Sequence, residues 1–347
     1  MNTILRVVDD KTPDISIIAQ AAEVIRRGGL VAFPTETVYG LGANGIHEDA
    51  ANAIFTAKGR PADNPLILHI ADPGDAELYA YTSPLYYRLA EAFMPGPLTV
   101  VLSAKEIVPL SVRAMLPTVA VRCPIHPVAQ ALIRASGTAI AAPSANLSGS
   151  PSPTCGAHVL SDMNGRIDMI LDGGECSIGV ESTIVKILDD ETMLLLRPGG
   201  ITLKDLEKIG QVVVAEAVTE ALKEGQIAES PGMKHKHYAP KSPLILLKGD
   251  NISRQKYILD HYHGKESILC YTEEIEFYST FADSKHIFDL GPETDIQVHC
   301  NRLFKLLREA DIDGIVRMFA PLPKTEGIGL ALYNRMIRAA AHQIVEI

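Results

Sequence analysis

Thr138-Ala139-Ile140-Ala141-Ala142-Pro143-Ser144-Ala145-Asn146 carries a short apolar run directly into a hydroxyl and an amide. In α/β proteins such strand ends are where ligands collect. Upstream, Lys58-Gly59-Arg60-Pro61-Ala62-Asp63-Asn64-Pro65 sets two cations one residue apart on proline-stiffened backbone. That is a fixed grip for a polyanion such as phosphate. Together the two stretches read as a nucleotide site on an α/β framework.

Working outward, residues 15–27 place Ile17, Ile18, Ala21, Ala22 and Ile25 at helical spacing and stop at Gly28-Gly29, the usual left-handed helix end. Leu30-Val31-Ala32-Phe33 is then a short buried strand closed by Pro34. Further strands are expected at 66–70, 98–102, 119–121, 138–142, 167–171, 182–187 and 193–196, with helices at 47–57, 84–93 and 127–135. The first part of the chain is therefore a mixed α/β domain rich in strands. After residue 205 comes a short amphipathic piece and then Ser230-Pro231-Gly232-Met233-Lys234-His235-Lys236-His237-Tyr238-Ala239-Pro240-Lys241. This basic, proline-bounded stretch buries little of itself and reads as a linker. From Pro243, strands at 244–247, 267–271, 286–290 and 314–319 alternate with helices at 295–310 and 327–341. Ile296, Cys300, Leu303 and Leu307 share one helix face. Such alternation gives a small Rossmann-like parallel sheet. The expected division is a first domain at 1–205, a linker at 206–242 and an accessory domain at 243–347.

At 347 residues the chain is long enough for two domains with separate cores. Its 32 Lys and Arg against 42 Asp and Glu leave a net charge of −10. That argues against nonspecific nucleic-acid binding, because neutralising phosphates needs a basic face. The five cysteines, Cys123, Cys155, Cys176, Cys270 and Cys300, are odd in number and widely spaced. They support neither a disulfide framework nor a zinc site, and a reducing, cytoplasmic setting is expected. Residues 1–14 mix Arg6 with Asp9, Asp10 and Asp14, unlike a secretory signal. No run reaches the roughly 18 apolar residues of a membrane span.

Gly40-Leu41-Gly42-Ala43-Asn44-Gly45 matches Gly-x-Gly-x-x-Gly, but Pro34 to Tyr39 separate it from the preceding strand, where a dinucleotide fingerprint would have to begin. No P-loop is present, since Gly264-Lys265 is followed by Glu266. Pro34-Thr35-Glu36-Thr37-Val38-Tyr39 offers two hydroxyls and a carboxylate after a buried strand, a receptor for the ammonium of a small zwitterion; an ordinary turn is the alternative. Lys58 follows the last turn of a helix, where it complements the negative end. That account leaves Arg60 and its rigid continuation unexplained. Arg122, after Val119-Ala120-Val121, and Arg197, before Pro198-Gly199, each need an anionic partner if buried. His69 alone reads as a core histidine. His235 and His237 have metal-ligand spacing, but no further His or Cys completes a site.

In chain order, Pro34-Thr35-Glu36-Thr37-Val38-Tyr39-Gly40-Leu41, Lys58-Gly59-Arg60, Asn64-Pro65-Leu66, Val121-Arg122, Pro143-Ser144-Ala145-Asn146-Leu147-Ser148-Gly149 and Glu181-Ser182-Thr183 resemble the YrdC-like family of threonylcarbamoyl-AMP synthases. The resemblance covers residues 10–205 and implies a twisted mixed sheet there. His237-Tyr238-Ala239-Pro240 and the α/β domain after it resemble the long, two-domain branch of that family. The resemblance implies a nucleotidyltransferase that joins L-threonine, bicarbonate or carbon dioxide, and ATP into threonylcarbamoyl-adenylate and pyrophosphate, with Mg²⁺ carried on ATP. A separate transferase complex would then modify adenosine at position 37 of tRNAs reading codons that begin with adenine.

Residue by residue, the resemblance implies Lys58 and Arg60 as catalytic cations. It implies ATP contacts at Lys58, Arg60, Asn64, Thr118, Ser144, Asn146, Ser152, Arg197 and Tyr238, those at Thr118, Ser152 and Tyr238 resting on loop spacing alone. It implies a threonine pocket of Thr37, His69, Arg122 and Ser182 with Thr35 beside it, and no metal ligand. The linker at 230–241 would act as a lid that keeps water from the labile adenylate. Two other readings stand beside this one. A carbamoyl-adenylate-forming module of the hydrogenase-maturation type shares the domain but is far longer and carries zinc fingers, which these cysteines do not supply. A double-stranded RNA or ribosome-associated module, binding RNA weakly, is opposed by the charge of −10.

Overall fold

The computed structural model describes residues 2–220 and 238–347, which fall into two compact units. The first takes in the described residues up to Ser148 and from Ser152 to 220; Gly149–Pro151 group with the second unit and the chain from Tyr238 onward. Most of the 230–241 stretch, with His235 and His237, lies outside the described residues.

The first unit is a 12-stranded mixed sheet. Its strands are β1 (Ile4–Val7), β2 (Val31–Phe33), β3 (Gly40–Asn44), β4 (Ile67–His69), β5 (Ala80–Tyr81), β6 (Leu98–Ala104), β7 (Thr118–Arg122), β8 (Ile140–Ala142), β9 (Met169–Asp172), β10 (Thr183–Ile187), β11 (Thr192–Arg197) and β12 (Gln211–Val214). They run in the order β1-β9-β2-β3-β8-β4-β7-β6-β10-β11-β12, with β5 paired to β6. Helix Ile15–Arg26 starts where the Asp14 carboxylate accepts from the Ser16 and Ile17 amides, satisfying donors the helix cannot. Its stop is Gly28, at φ +86°. Helix Pro127–Ser136 begins on proline, with the His126 ring accepting from Val128 N, and ends at Gly137 in the left-handed region. These two helices cover one face of the sheet through Ile18, Ala21, Ile25, Leu132 and Ile133, packed on Val31, Phe33, Ile140 and Leu171. Ile54, Phe55 and Leu89 of helices Glu48–Lys58 and Pro84–Phe93 pack in the larger core with Leu41, Leu68, Val100 and Val121.

The structure shifts two sequence expectations. Gly40 to Asn44 form an edge-to-edge antiparallel strand between β2 and β8, so the glycines serve packing: a Cβ on Gly42 would lie 2.7 Å from Ile140 and 2.8 Å from Phe33. Residues 206–214, expected as linker, instead complete helix Leu203–Leu206 and form β12, parallel to β11. The β-branched run Val212-Val213-Val214 suits a strand, and its position next to a polar stretch hid it.

The second unit is a five-stranded, all-parallel sheet of β13 (Leu244–Lys248), β14 (Glu266–Cys270), β15 (Ile287–Asp289), β16 (Arg317–Pro321) and β17 (Ile344–Glu346), in the order β15-β14-β16-β13-β17. Helices Ile296–Glu309 and Gly329–Ala339 stand where expected, and helix Asn251–His261, capped by Asp250, was not anticipated. β16 begins later than the expected 314–319, because Gly314 sits at φ +91° in the preceding turn. Among the described residues no helix is long and apolar enough to cross a membrane.

Candidate active site

Strand register assembles the first part of the site. His69 on β4 pairs with Arg122 on β7, and Arg122 pairs with Thr99 on β6. Directly paired residues project to the same face of a sheet, so the three form one polar row across three adjacent strands. Leu68, Val121 and Val100 are paired one residue away and point to the opposite face, into the main core. The row thus sets polar groups on one face of these strands, backed by the apolar core on the other.

Arg122 is the centre of this row. Its Nη2 donates to Glu36 Oε1 at 2.6 Å and to Thr37 Oγ1 at 2.9 Å, and both members of the ion pair are nearly fully buried. Glu36 Oε2 and Arg122 Nε are buried with no hydrogen-bond partner among the described residues. Thr35 gives its hydrogen to Val38 O at 2.6 Å, so in its 2.8 Å contact with Thr37 the Thr37 hydroxyl is the donor. Thr35 also accepts from the Thr37 and Val38 amides and is saturated within its own turn. Thr37, accepting from Arg122, retains one acceptor position. His69 Nδ1 lies 3.1 Å from Ile67 O. Burial, aided by the Arg122 charge, depresses its pKa from 6.5 to about 3, so the ring is neutral at physiological pH.

A second cluster surrounds Lys58, the last residue of its helix, which Gly59 closes at φ +60°. The ammonium is buried and donates to Ser144 O at 2.5 Å, to Asn146 O at 2.6 Å and to Asn146 Oδ1 at 3.3 Å. Ser144 Oγ donates to the same Asn146 oxygen at 2.6 Å. Burial pushes the Lys58 pKa well below its usual value, the nearby Arg60 adding to the effect and Asp162 opposing it. All three ammonium hydrogens are thus engaged by the Ser144–Asn146 strap, whereas the sequence suggested that they grip phosphate directly. Arg60 Nη2 donates to the Asn64 and Pro65 carbonyls. Asn64 is fully buried, and neither atom of its side-chain amide finds a partner among the described residues, a costly arrangement unless a ligand completes it.

Glu181 and Ser182 form a third cluster. Ser152 Oγ donates to Glu181 Oε1 at 2.5 Å. Arg197, at the end of β11, donates from Nε to Ser182 O at 3.1 Å and from Nη2 to Ser182 Oγ at 3.2 Å, and Thr99 Oγ1 lies 2.8 Å from that oxygen. The segment is wedged against Gly199, where an added Cβ would stand 2.3 Å from Thr183 N and 2.5 Å from Glu181 O. Thr118 opens β7 and shares the face of Arg122 four residues on. Tyr238 belongs to the second unit, where its ring packs on Phe304 and under Arg335, at φ +63°.

Residues 23–199 match the Sua5/YciO/YrdC family model, described as telomere recombination, and residues 201–341 match the model for the threonylcarbamoyl-AMP synthase C-terminal domain. The threonylcarbamoyl-AMP synthase of Pyrococcus abyssi is 44% identical over 333 residues, covering 94% of this chain and 95% of the relative. This chain belongs to the threonylcarbamoyl-AMP synthase family. The family member from Bacillus subtilis is 42% identical over 344 residues, covering 98% of this chain and 97% of its own. The structure of P. abyssi Sua5 complexed with L-threonine matches with a TM-score of 0.90 at 41% identity, over 99% of this chain and 100% of that one. The match extends to both sheets.

Within this member of the threonylcarbamoyl-AMP synthase family, Thr37, His69, Arg122 and Ser182 are brought together, directly or through Thr99. Lys58, Ser144 and Asn146 form their own knot. Thr99 and Glu181 were missed by sequence reasoning. A lone threonine inside the apolar run Leu98 to Leu102, and a carboxylate beside Ser182, were the signals available. Glu36, read as a free receptor for an ammonium group, has one oxygen engaged by Arg122 and the other open.

Proposed function

We propose that the chain catalyses formation of L-threonylcarbamoyl-adenylate and pyrophosphate from L-threonine, bicarbonate or carbon dioxide, and ATP, and so acts as a nucleotidyltransferase supplying tRNA threonylcarbamoyladenosine synthesis at position 37 through a separate transferase complex. The observation that carries the amino-acid half is the buried Glu36–Arg122 pair with one acceptor and one donor left open. An α-amino acid brings a carboxylate for an arginine N–H and an ammonium for a carboxylate oxygen. Burying such a pair is costly unless its remaining lone pairs and protons are satisfied, and a zwitterion satisfies both at once.

The chemistry needs no protein nucleophile. Threonine's ammonium and bicarbonate give the carbamate, water and a proton; a carbamate oxygen then attacks the α-phosphorus of ATP, the α–β anhydride bond breaks and pyrophosphate leaves. The protein's part is alignment and stabilisation of charge developing on the phosphates. Arg60, Asn64, Ser144, Asn146, Ser152 and Arg197 are the residues for that part, with Thr118 as a further ATP contact. Lys58 holds the Ser144–Asn146 strap. Mg²⁺ enters with the phosphates of ATP as part of the substrate. The test is pyrophosphate release by the purified chain with MgATP, expected to require both L-threonine and bicarbonate. Equal release with leucine, or with no amino acid, overturns the proposal.

A further inference from the structure

We infer that Thr99 is a positioning residue for the amino-acid substrate, committing the Ser182 hydroxyl to donate its hydrogen to the substrate carboxylate. This rests on the threonine reading proposed above. A serine hydroxyl has one hydrogen and two acceptor positions. Arg197 Nη2, which can only donate, fills one acceptor position from 3.2 Å. Thr99 Oγ1, at 2.8 Å, faces the other. Both hydroxyls are fully buried, so their hydrogens cannot turn to solvent.

Two arrangements are open to the Thr99–Ser182 contact. In one, Ser182 gives its hydrogen to Thr99 and has nothing to offer a ligand. In the other, Thr99 donates, both acceptor positions of Ser182 are filled, and its one hydrogen is left for an incoming acceptor. An anion selects the second arrangement, because its interaction with an O–H donor is favourable and with a lone pair is not. The position of the two residues fixes which hydroxyl the anion meets. Thr99 is flanked in register by Arg122 and Ile184 on neighbouring strands, whereas Ser182 stands one residue before β10 begins, outside that register. Arg122 in the same row supplies the charge that brings a carboxylate there. Thr99 thus turns an ambiguous hydroxyl into a fixed donor without touching the substrate.

The experiment measures steady-state pyrophosphate release by full-length wild type, Thr99→Val, Thr99→Ser, Ser182→Ala and the Ser182→Ala/Thr99→Val pair, with melting temperatures for each. Losing a committed donor to a charged group is expected to raise the threonine KM by about tenfold or more in Thr99→Val, with kcat and the ATP KM within about twofold of wild type. Thr99→Ser, which keeps the hydroxyl, is expected to restore the threonine KM. In the Ser182→Ala background, Thr99→Val is expected to add nothing. An unchanged threonine KM in Thr99→Val, a failure of Thr99→Ser to restore it, or an undiminished effect in the Ser182→Ala background overturns the inference. If wild type itself shows no threonine-dependent release, the proposed function fails and this inference with it; if wild type responds and Thr99→Val does not differ, only this inference fails.

Discussion

Glu36→Gln and Arg122→Met, made singly and together, measure how much of the pocket rests on one buried ion pair. The two side chains are 6% and 5% exposed and meet at 2.6 Å. Removing one partner of such a pair leaves the other charge uncompensated, at a cost of about 3–5 kcal/mol. The variants fall at different ends of that range. Glutamine keeps an oxygen for Arg122 Nη2, so Glu36→Gln belongs near the lower figure. Arg122→Met strips Glu36 of its one hydrogen-bond donor and also removes the contact to Thr37, so it belongs near the upper. For a domain of this size each kcal/mol shifts Tm by about 2–4 °C, giving losses of roughly 6–20 °C for the single variants. The double variant buries no charge, and replacing both members of a buried pair is often close to neutral. It should therefore melt above Arg122→Met. Scanning calorimetry of the full chain reads these shifts, and threonine-dependent pyrophosphate release should be lost in all three variants. Single variants within about 2 °C of wild type, or a double variant whose loss is the sum of the singles, would refute the claim that the pair is coupled and buried.

Lys58→Met should leave the Ser144 and Asn146 carbonyls without their donor and reduce pyrophosphate release more than tenfold, by about 1.5–3 kcal/mol of lost charge-assisted bonding, while the far-ultraviolet circular dichroism stays that of wild type; wild-type turnover would show the strap to be dispensable. Arg60→Ala should act mainly on the ATP KM and kcat with little change in melting, and an unaltered nucleotide response would remove Arg60 from the site. His69 gives a pH signature. Because its folded pKa is depressed from 6.5 to about 3 by burial and then by Arg122, the unfolded chain binds a proton between those values that the folded chain does not. Stability from this group is therefore complete above 6.5 and declines as pH falls, by about 2 kcal/mol between pH 7 and 5. His69→Gln should lose less Tm than wild type over that interval, and an identical decline in both proteins would mean that His69 is protonated in the folded state.

The framework was legible because its signals are local. Helices with a capping Asp14 or a first-turn Pro127, and short apolar strands closed by glycine or proline, show in the sequence within two or three residues of where the structure puts them. The all-parallel second sheet followed from strand–helix alternation alone. What stayed hidden depends on pairing. β1 is exposed at every residue, and β12 lies at the opposite edge, so neither shows the buried pattern that marks an inner strand. β3 looked like a glycine motif because its glycines answer Phe33 and Ile140 from other strands, a requirement no single stretch reveals. The site divides the same way. Lys58, Arg60, Ser144 and Asn146 were visible as residue types in unusual order, but the direction of the Lys58 ammonium, toward carbonyls of a strap eighty-six residues away, could not be read from that order.

Register explains why the proposed amino-acid pocket needs a sheet of mixed direction. His69 and Arg122 come together because β4 and β7 run parallel, and Thr99 joins them because β6 turns back antiparallel to β7. β10 then runs parallel to β6, which brings Ser182, one residue before that strand, beside Thr99. A one-residue slip in any of these pairings would turn its polar member toward the core of Leu68, Val100 and Val121, at the cost of an unpaired arginine, histidine or hydroxyl among apolar side chains. The same apolar core that stabilises the sheet therefore enforces the register that builds the pocket. That is why His69, Arg122 and Thr99, one on each of three adjacent strands, come to lie in one row.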